Sequence, residues 1–203
     1  KGYSVKDLKE FYNFYEWGKY SNNISGNTKR LYHELLFIGR ILLTWINENT
    51  PTLIAKYSSV SLPEMIENSP MNLMRIIHYP PLNSDVTDGA IRAAAHCDIN
   101  LITVLPAASQ PGLQVQTKED EWLDIECNPG WLVINTGDML QECSDGHYPS
   151  TIHRVVNPIA KYAHLSRYSM PLFIHPRDEV ILSKRYSAKK YLDERLRDIG
   201  LKT

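Results

Sequence analysis

The sequence predicts a mainly β protein with flanking helices, and three observations support this class. Apolar residues recur three or four positions apart over residues 26–49, which predicts one long amphipathic helix ended by Pro51. Residues 72–176 then contain short runs rich in Ile, Val, Leu, Thr and Tyr, each bounded by Pro, Gly, Asn or Asp, as expected of successive strands. Residues 187–199 again carry one apolar helical face.

Each element follows from a local pattern. The apolar stripe of the long helix consists of Leu31, Leu35, Ile38, Leu42 and Ile46. A shorter helix is predicted at residues 62–68, because Ser61 can cap it and Pro63 suits its first turn. The predicted strands lie in the runs NLMRIIHY, IRAAAHCDINLITVL, GLQVQT, EWLDIE, GWLVINT, STIHRVV and RYSMPLFIH. Residues 118–121 form the polar tip of a predicted β-hairpin.

The composition is that of an ordinary globular chain. Of its 203 residues, 43% are hydrophobic and 22% charged, which excludes disorder, collagen-like repeats and a long coiled coil. The net charge of -1 provides no positive excess for a nucleic-acid backbone. The most apolar stretch, residues 35–46, is too short to span a bilayer and contains Arg40. We therefore expect neither a nucleic-acid nor a membrane partner, and the sequence does not indicate an oligomeric state.

The cysteines indicate the compartment. Cys97, Cys127 and Cys143 form neither a C-x-x-C pair nor an even set, which is typical of a reducing environment, so we expect a cytoplasmic protein. The first residues, KGYSVKDLKEFY, lack the apolar core of a signal peptide, and they also lack an initiator Met.

The chain is not divided by an internal repeat or a low-complexity linker. We predict a helical N-terminal flank at residues 1–70, which we expect to be incomplete. The β core follows at residues 71–178, and a C-terminal helix at residues 179–203 caps it.

Two histidines and one aspartate form the first candidate site. His96 and Asp98 lie two positions apart in a predicted strand, so both point to one face while Cys97 points away. His153 begins a later predicted strand. Two imidazoles and one carboxylate are the facial triad of non-haem Fe(II), with zinc as the competing metal. A hydrogen-bonded core histidine explains the same pattern, since His-x-Asp alone is a weak signal.

A second pair has the same spacing. Arg167 and Ser169 place a guanidinium and a hydroxyl on one strand face. The planar fork of arginine suits a carboxylate, and the hydroxyl can bond the same group. The alternative is a strand arginine that extends into solvent. By contrast, Gly137 and Asp138 are interpreted as turn residues after the GWLVINT strand.

Several sequence segments, taken in order, resemble those of the iron- and 2-oxoglutarate-dependent dioxygenases. The chain is similar to a bacterial-type member of the isopenicillin N synthase-like branch. The matching pieces are RIIHYPPL, AAAHCDINLITVL, PGLQVQ, EWLDIECNPGWLVINTGDML, STIHRVVNP and RYSMPLFIHP, in the order of that family. The resemblance implies a double-stranded β-helix core of the jelly-roll, cupin-like type.

The resemblance also implies an activity. His96, Asp98 and His153 would ligate Fe(II), with 2-oxoglutarate as cosubstrate and O2 as oxidant. The expected reaction oxidises a C–H bond of an unidentified small molecule and releases succinate and CO2. No catalytic residue is implied beyond the metal centre.

Three residues are implied at the cosubstrate. Arg167 and Ser169 would hold the distal carboxylate of 2-oxoglutarate, and Tyr79 would assist through its hydroxyl. One departure is Ile77, which stands where many plant relatives have Asn.

Alternatives stay open at this point. The Arg-x-Ser pair holds a substrate carboxylate in isopenicillin N synthase, so an Fe(II) oxidase without 2-oxoglutarate fits the same residues. A non-catalytic jelly-roll binding protein is a second alternative, because one fold hosts many functions. A zinc hydrolase is disfavoured, since no general base stands out beside the triad.

Overall fold

A computed structural model of the chain describes residues 7–20, 24–51, 58–82 and 90–201. The helices are α1 (Gly26–Asn49), α2 (Leu62–Met65), α3 (Asp138–Cys143) and α4 (Ala188–Asp198). The strands are β1 (Glu10–Phe14), β2 (Leu73–Tyr79), β3 (Ala93–His96), β4 (Ile102–Pro106), β5 (Leu113–Gln116), β6 (Trp122–Asp124), β7 (Leu132–Thr136), β8 (His153–Val155), β9 (Arg167–Ser169) and β10 (Leu172–Ile174). Within these ranges, no helix has the length and apolar character needed to cross a membrane.

The strands form two antiparallel sheets. One sheet has the order β1-β2-β10-β4-β7, with β9 also pairing with β2, and the other has the order β3-β8-β5-β6. Apolar residues of both sheets, including Ile77 from β2 and Leu113 from β5, pack together in one small cluster. The inner faces of the two sheets therefore enclose a barrel, and the predicted double-stranded β-helix is confirmed.

The larger core lies on the other side of the six-stranded sheet. There α1 buries Leu35 and Leu43 against outward-facing residues such as Met74 and Val104. Each fully buried aliphatic side chain stabilises the fold by about 1.5–3 kcal/mol. Gly39 allows the close approach, because a Cβ at this position would overlap the side chain of Ile174 on β10. This packing fixes the sheet from outside and leaves its inner face free for the site.

Strand alternation decides which residues enter the barrel. On β2, Met74 lies in the core under α1, whereas Ile77 and Tyr79 face inward. Strand β9 pairs with this part of β2 and places Arg167 opposite Tyr79 and Ser169 opposite Ile77. Four neighbouring side chains on two strands thus point toward the barrel interior.

The N-terminal flank differs from the predicted helical region. Strand β1 extends the six-stranded sheet by pairing with β2, with Glu10 opposite His78 and Phe14 opposite Met74. Only Phe14 of this strand is buried, so the sequence lacks the apolar alternation that identifies a strand. We propose that the N-terminal flank ends at residue 70 and that the β core ends at residue 178.

Most other predicted elements agree with the structure, although α2 ends at Met65 and not at residue 68. Helix α1 has the predicted bounds, and Ser61 and Glu64 form the capping box of α2. The predicted hairpin joins β5 and β6, where Thr117 donates from its backbone N–H to the carbonyl of Glu121 at 2.8 Å. The single predicted run RYSMPLFIH is divided into β9 and β10.

Candidate active site

The two histidines and the aspartate come together at one end of the barrel. His96 ends β3 and lies directly opposite His153, the first residue of β8. Their ring centroids are 4.4 Å apart. His153 Nε2 lies 3.8 Å from Asp98 Oδ1, and one potential ligand atom from each of the three residues lies within 4.8 Å of the others. This arrangement could hold one metal ion.

Asp98 reaches this position by a route that the sequence did not predict. Strand β3 ends at His96, so Asp98 lies in the connection to β4 rather than in the strand, and simple alternation does not orient it. The connection is fixed by the first residue of α3, since the Asp138 N–H donates to the Asp98 carbonyl at 2.8 Å. Gly137 is required there because a Cβ would overlap the backbone oxygen of Asn100. Gly137 and Asp138 therefore begin a helix, and the interpretation of these two as simple turn residues was wrong.

The hydrogen bonds of the imidazoles define their tautomers. His96 Nδ1 lies 2.7 Å from the carbonyl oxygen of Ala94, and His153 Nδ1 lies 3.0 Å from that of Thr151. Because a carbonyl oxygen only accepts, each Nδ1 carries a proton, and the neutral form of each ring therefore has its lone pair at Nε2. Desolvation by surrounding atoms, reinforced by nearby His153, lowers the pKa of His96 and favours its neutral form. Both rings are prepared to bind a metal through Nε2.

The carboxylate of Asp98 is oriented by two donors. Its Oδ2 accepts from Thr103 Oγ1 at 2.6 Å and from Asn135 Nδ2 at 2.8 Å. Oδ1 faces His153, so one oxygen is left to bind a metal. The sequence analysis did not identify Thr103 or Asn135. Their inward position on β4 and β7 follows the period of two, which is the signal that could have found them.

A cavity of about 60 Å³ connects this cluster to the predicted carboxylate anchor. Arg167, Ser169 and Tyr79 all line it, and only 2%, 5% and 3% of their surfaces are exposed. Tyr168 between them is 51% exposed, as strand alternation predicts. A solvent-extended Arg167 is thereby excluded.

Arg167 is held in place but retains binding capacity. Its Nε donates to the Gln110 carbonyl at 2.9 Å, and its Cζ lies 5.0 Å from the centre of the Tyr79 ring. Nη1 is buried and has no hydrogen-bond partner in the described part of the chain. Burial lowers the pKa of Arg167 and raises that of Tyr79. An unpaired buried guanidinium is costly without an anion, so this end of the cavity is suited to a carboxylate.

Two further cationic side chains, those of Arg75 and Lys9, line the cavity, and the sequence analysis did not predict them. Arg75 is held by Asn13 Oδ1, which accepts from its Nε at 2.9 Å. Its Cζ lies 4.4 Å from the ring of Phe11 and 5.4 Å from that of Phe173. Lys9 also lines the cavity and pairs with Asp7 at 2.7 Å. The cavity thus carries positive groups in addition to its carboxylate anchor.

The donor set fits Fe(II). Two imidazole nitrogens and one carboxylate oxygen could form a three-ligand site, which would leave coordination positions for a chelating cosubstrate and O2. The backbone acceptors behind both rings and the donors behind Asp98 supply the outer hydrogen bonds that such ligands require.

Comparison with known proteins agrees with this geometry. The family model of the 2OG-Fe(II) oxygenase superfamily matches residues 70–176. The chain is 36% identical over 118 residues to the 2-oxoglutarate-dependent dioxygenase citB of Monascus ruber, covering 57% of this chain and 36% of that protein. A crystal structure of a Shewanella oneidensis protein assigned as an oxygenase superposes with a TM-score of 0.88 at 51% identity, covering 97% of this chain and 73% of that one.

A second solved structure extends the agreement. A Caulobacter crescentus protein assigned to the 2OG-Fe(II) oxygenase family is 29% identical with a TM-score of 0.77, covering 98% of this chain and 72% of that one. The chain spans about a third of the length of the curated relatives it matches. The isopenicillin N synthase-like branch stays a prediction. The match over the whole β core shows that this chain belongs to the 2OG-Fe(II) oxygenase superfamily.

Proposed function

We propose that this protein oxidises a C–H bond of a small molecule with Fe(II), 2-oxoglutarate and O2, and releases succinate and CO2. The observation that carries the proposal is a single cavity that joins a two-histidine, one-carboxylate cluster to a buried arginine with an unpartnered nitrogen. When bound, Fe(II) and 2-oxoglutarate supply the oxidising chemistry, which no side chain of the protein can provide.

The residues divide the work between metal and cosubstrate. His96 and His153 offer their Nε2 atoms to Fe(II), and Asp98 offers Oδ1. Arg167 and Ser169, assigned with Tyr79 to the distal carboxylate of 2-oxoglutarate, fix the cosubstrate in a site from which bulk water is largely excluded.

The distribution of charge supports 2-oxoglutarate over an oxidase that lacks it. If the cosubstrate carboxylate binds at Arg167, Arg75 is available for a second anion. Arg75 also lines the cavity and pairs with no carboxylate among the described residues. We infer that the substrate itself carries a negative charge. A non-catalytic binding module is disfavoured, because it has no need for three metal donors each oriented by outer hydrogen bonds.

We infer that the protein is cytoplasmic. Cys97, Cys127 and Cys143 are all free thiols, which supports the reducing cytoplasm.

Formation of succinate tests the activity. Purified protein with Fe(II), ascorbate and O2 is expected to convert 2-oxoglutarate slowly to succinate even without its substrate. The Asp98→Ala variant is expected to lose this conversion, whereas Asp145→Ala, in the turn after α3, retains it. Equal succinate formation by wild type and Asp98→Ala, or none by wild type, would reject the proposal.

A further inference from the structure

A second buried arginine lies beside the carboxylate anchor and has no assigned role. Arg92 precedes β3 and has an exposed fraction of 0%. Its Nη2 donates to the Leu165 carbonyl at 3.0 Å, and its backbone N–H donates to Asn157 Oδ1 at 3.1 Å. Nε and Nη1 are buried and have no hydrogen-bond partner among the residues described. A structural arginine in a protein interior normally satisfies these donors.

Arg92 and Arg167 share one aromatic ring. Arg92 Cζ lies 6.0 Å from the centre of the Tyr79 ring, on which the Arg167 guanidinium also packs at 5.0 Å. Desolvation lowers the pKa of Arg92, and the charge of Arg167 lowers it further. Among the described residues, no carboxylate forms an ion pair with either arginine. Two buried cations therefore repel each other around Tyr79, and an anion beside them would relieve the cost.

We propose that Arg92 is a positioning residue for the cosubstrate, one that strengthens binding of its distal carboxylate from behind Tyr79. Arg92 is absent from the residues that line this cavity and instead lines a neighbouring cavity of about 490 Å³, so it acts without touching the cosubstrate. It holds the Tyr79 ring from one side and contributes its positive charge through the surrounding protein of low polarity. The inference rests on the proposed function, because it assigns the carboxylate at Arg167 to 2-oxoglutarate.

The consequence is selectivity for a keto acid with a second carboxylate. Arg92→Met keeps the length of the side chain and removes the charge, and it is expected to weaken 2-oxoglutarate binding about tenfold to a hundredfold. Binding of 2-oxobutyrate, which has the keto-acid group but no distal carboxylate, should change less than about threefold. Arg92→Lys retains the charge and should recover part of the lost affinity.

Calorimetric titration of the Mn(II)-loaded protein measures both ligands without turnover. Arg40→Met, on the exposed surface of α1, is the matched control and is expected to bind both ligands like wild type. The melting temperature of each ligand-free variant is recorded as well. Removing an unpaired buried charge should not lower it greatly, whereas removing a structural arginine would.

Two results would overturn the inference. One is an Arg92→Met variant that binds 2-oxoglutarate as tightly as wild type. The other is equal weakening of 2-oxoglutarate and 2-oxobutyrate, which would mean that Arg92 only maintains the fold. Failure of the proposed function gives a different pattern, in which wild type does not bind 2-oxoglutarate or Arg167→Met binds it undiminished.

Discussion

Replacing Thr103 by Val removes one of the two donors to the Asp98 carboxylate with almost no change of shape. Thr103 Oγ1 donates to Asp98 Oδ2 at 2.6 Å and accepts from Asn100 Nδ2 at 2.8 Å. Asn100 Nδ2 retains a second acceptor, the carbonyl of Ile102 at 3.1 Å, so the main loss falls on the carboxylate. A hydrogen bond to a charged group contributes about 1.5–3 kcal/mol. If that energy orients Asp98 for the metal, the metal dissociation constant should rise about tenfold to a hundredfold.

The assay is calorimetric titration of the metal-free protein with Mn(II) at fixed pH. Thr103→Ser keeps the hydroxyl and should bind the metal nearly as wild type does. Thr44→Val is the matched control, because Thr44 Oγ1 donates to the Arg40 carbonyl on α1, away from the site. A Thr103→Val protein that is folded and binds Mn(II) within about twofold of wild type would refute the orienting role.

Three further changes probe other parts of the account. Gly137→Ala should lower the free energy of unfolding by about 1–3 kcal/mol, because the added Cβ overlaps the Asn100 backbone. Gly26→Ala is the control and should not lower it, because a Cβ at that position meets no atom within 4 Å. Equal denaturant midpoints for the two variants would contradict this prediction. Burial lowers the pKa of His175 from 6.5 to about 4. As the pH falls from neutral to 4, the unfolded chain therefore binds a proton at this residue more readily than the folded chain does, and the free energy of unfolding should fall by about 3 kcal/mol. Denaturation of His175→Phe across that range should lack this part of the pH dependence, and an unchanged profile would count against it. In the Mn(II) and 2-oxoglutarate complex, Mn(II) should broaden the NMR resonances of phenylacetate, which is negatively charged, more than those of neutral phenylacetamide. Arg75→Leu should abolish this difference. Equal broadening of the two compounds in wild type would reject a negatively charged substrate.

Periodicity in the sequence was sufficient for much of the fold. Helix α1 and the strands of the β core repeat their apolar residues over enough positions to be recognised. Strand β1 was missed because four of its five residues are exposed and its place is set by pairing with β2. Helix α3, with six residues, is too short for a helical period, and its N-cap is Gly137, where close packing leaves no room for a Cβ.

The candidate site was predictable where two functional residues lie close in sequence. His96 with Asp98, and Arg167 with Ser169, each occur at a spacing of two, although the structure orients Asp98 by a connection instead of a strand. Strand alternation indicates only that a lone polar residue such as Asn135 faces inward, and it does not indicate which residue Asn135 contacts. Its partner is 37 positions away in the chain and becomes evident only in the folded structure.

Arg75 and Arg92 were missed for the same reason. Arg75 and Arg92 each stand alone in the sequence, where a single arginine most often indicates a solvent-facing strand position. Burial and unpartnered nitrogens, which the sequence does not reveal, distinguish Arg92 from a surface residue.

Anaerobic titration with Fe(II), with and without 2-oxoglutarate, tests the central claim most directly. The claim is that His96, Asp98 and His153 hold the metal while Arg167 holds the cosubstrate. A weak visible absorption band should appear only when both Fe(II) and 2-oxoglutarate are present. The band should be lost in His153→Ala and require much more 2-oxoglutarate in Arg167→Ala. Fe(II) binding without a band would favour an oxidase that does not use 2-oxoglutarate, and equal Fe(II) binding by wild type and His153→Ala would contradict the assignment of the metal site.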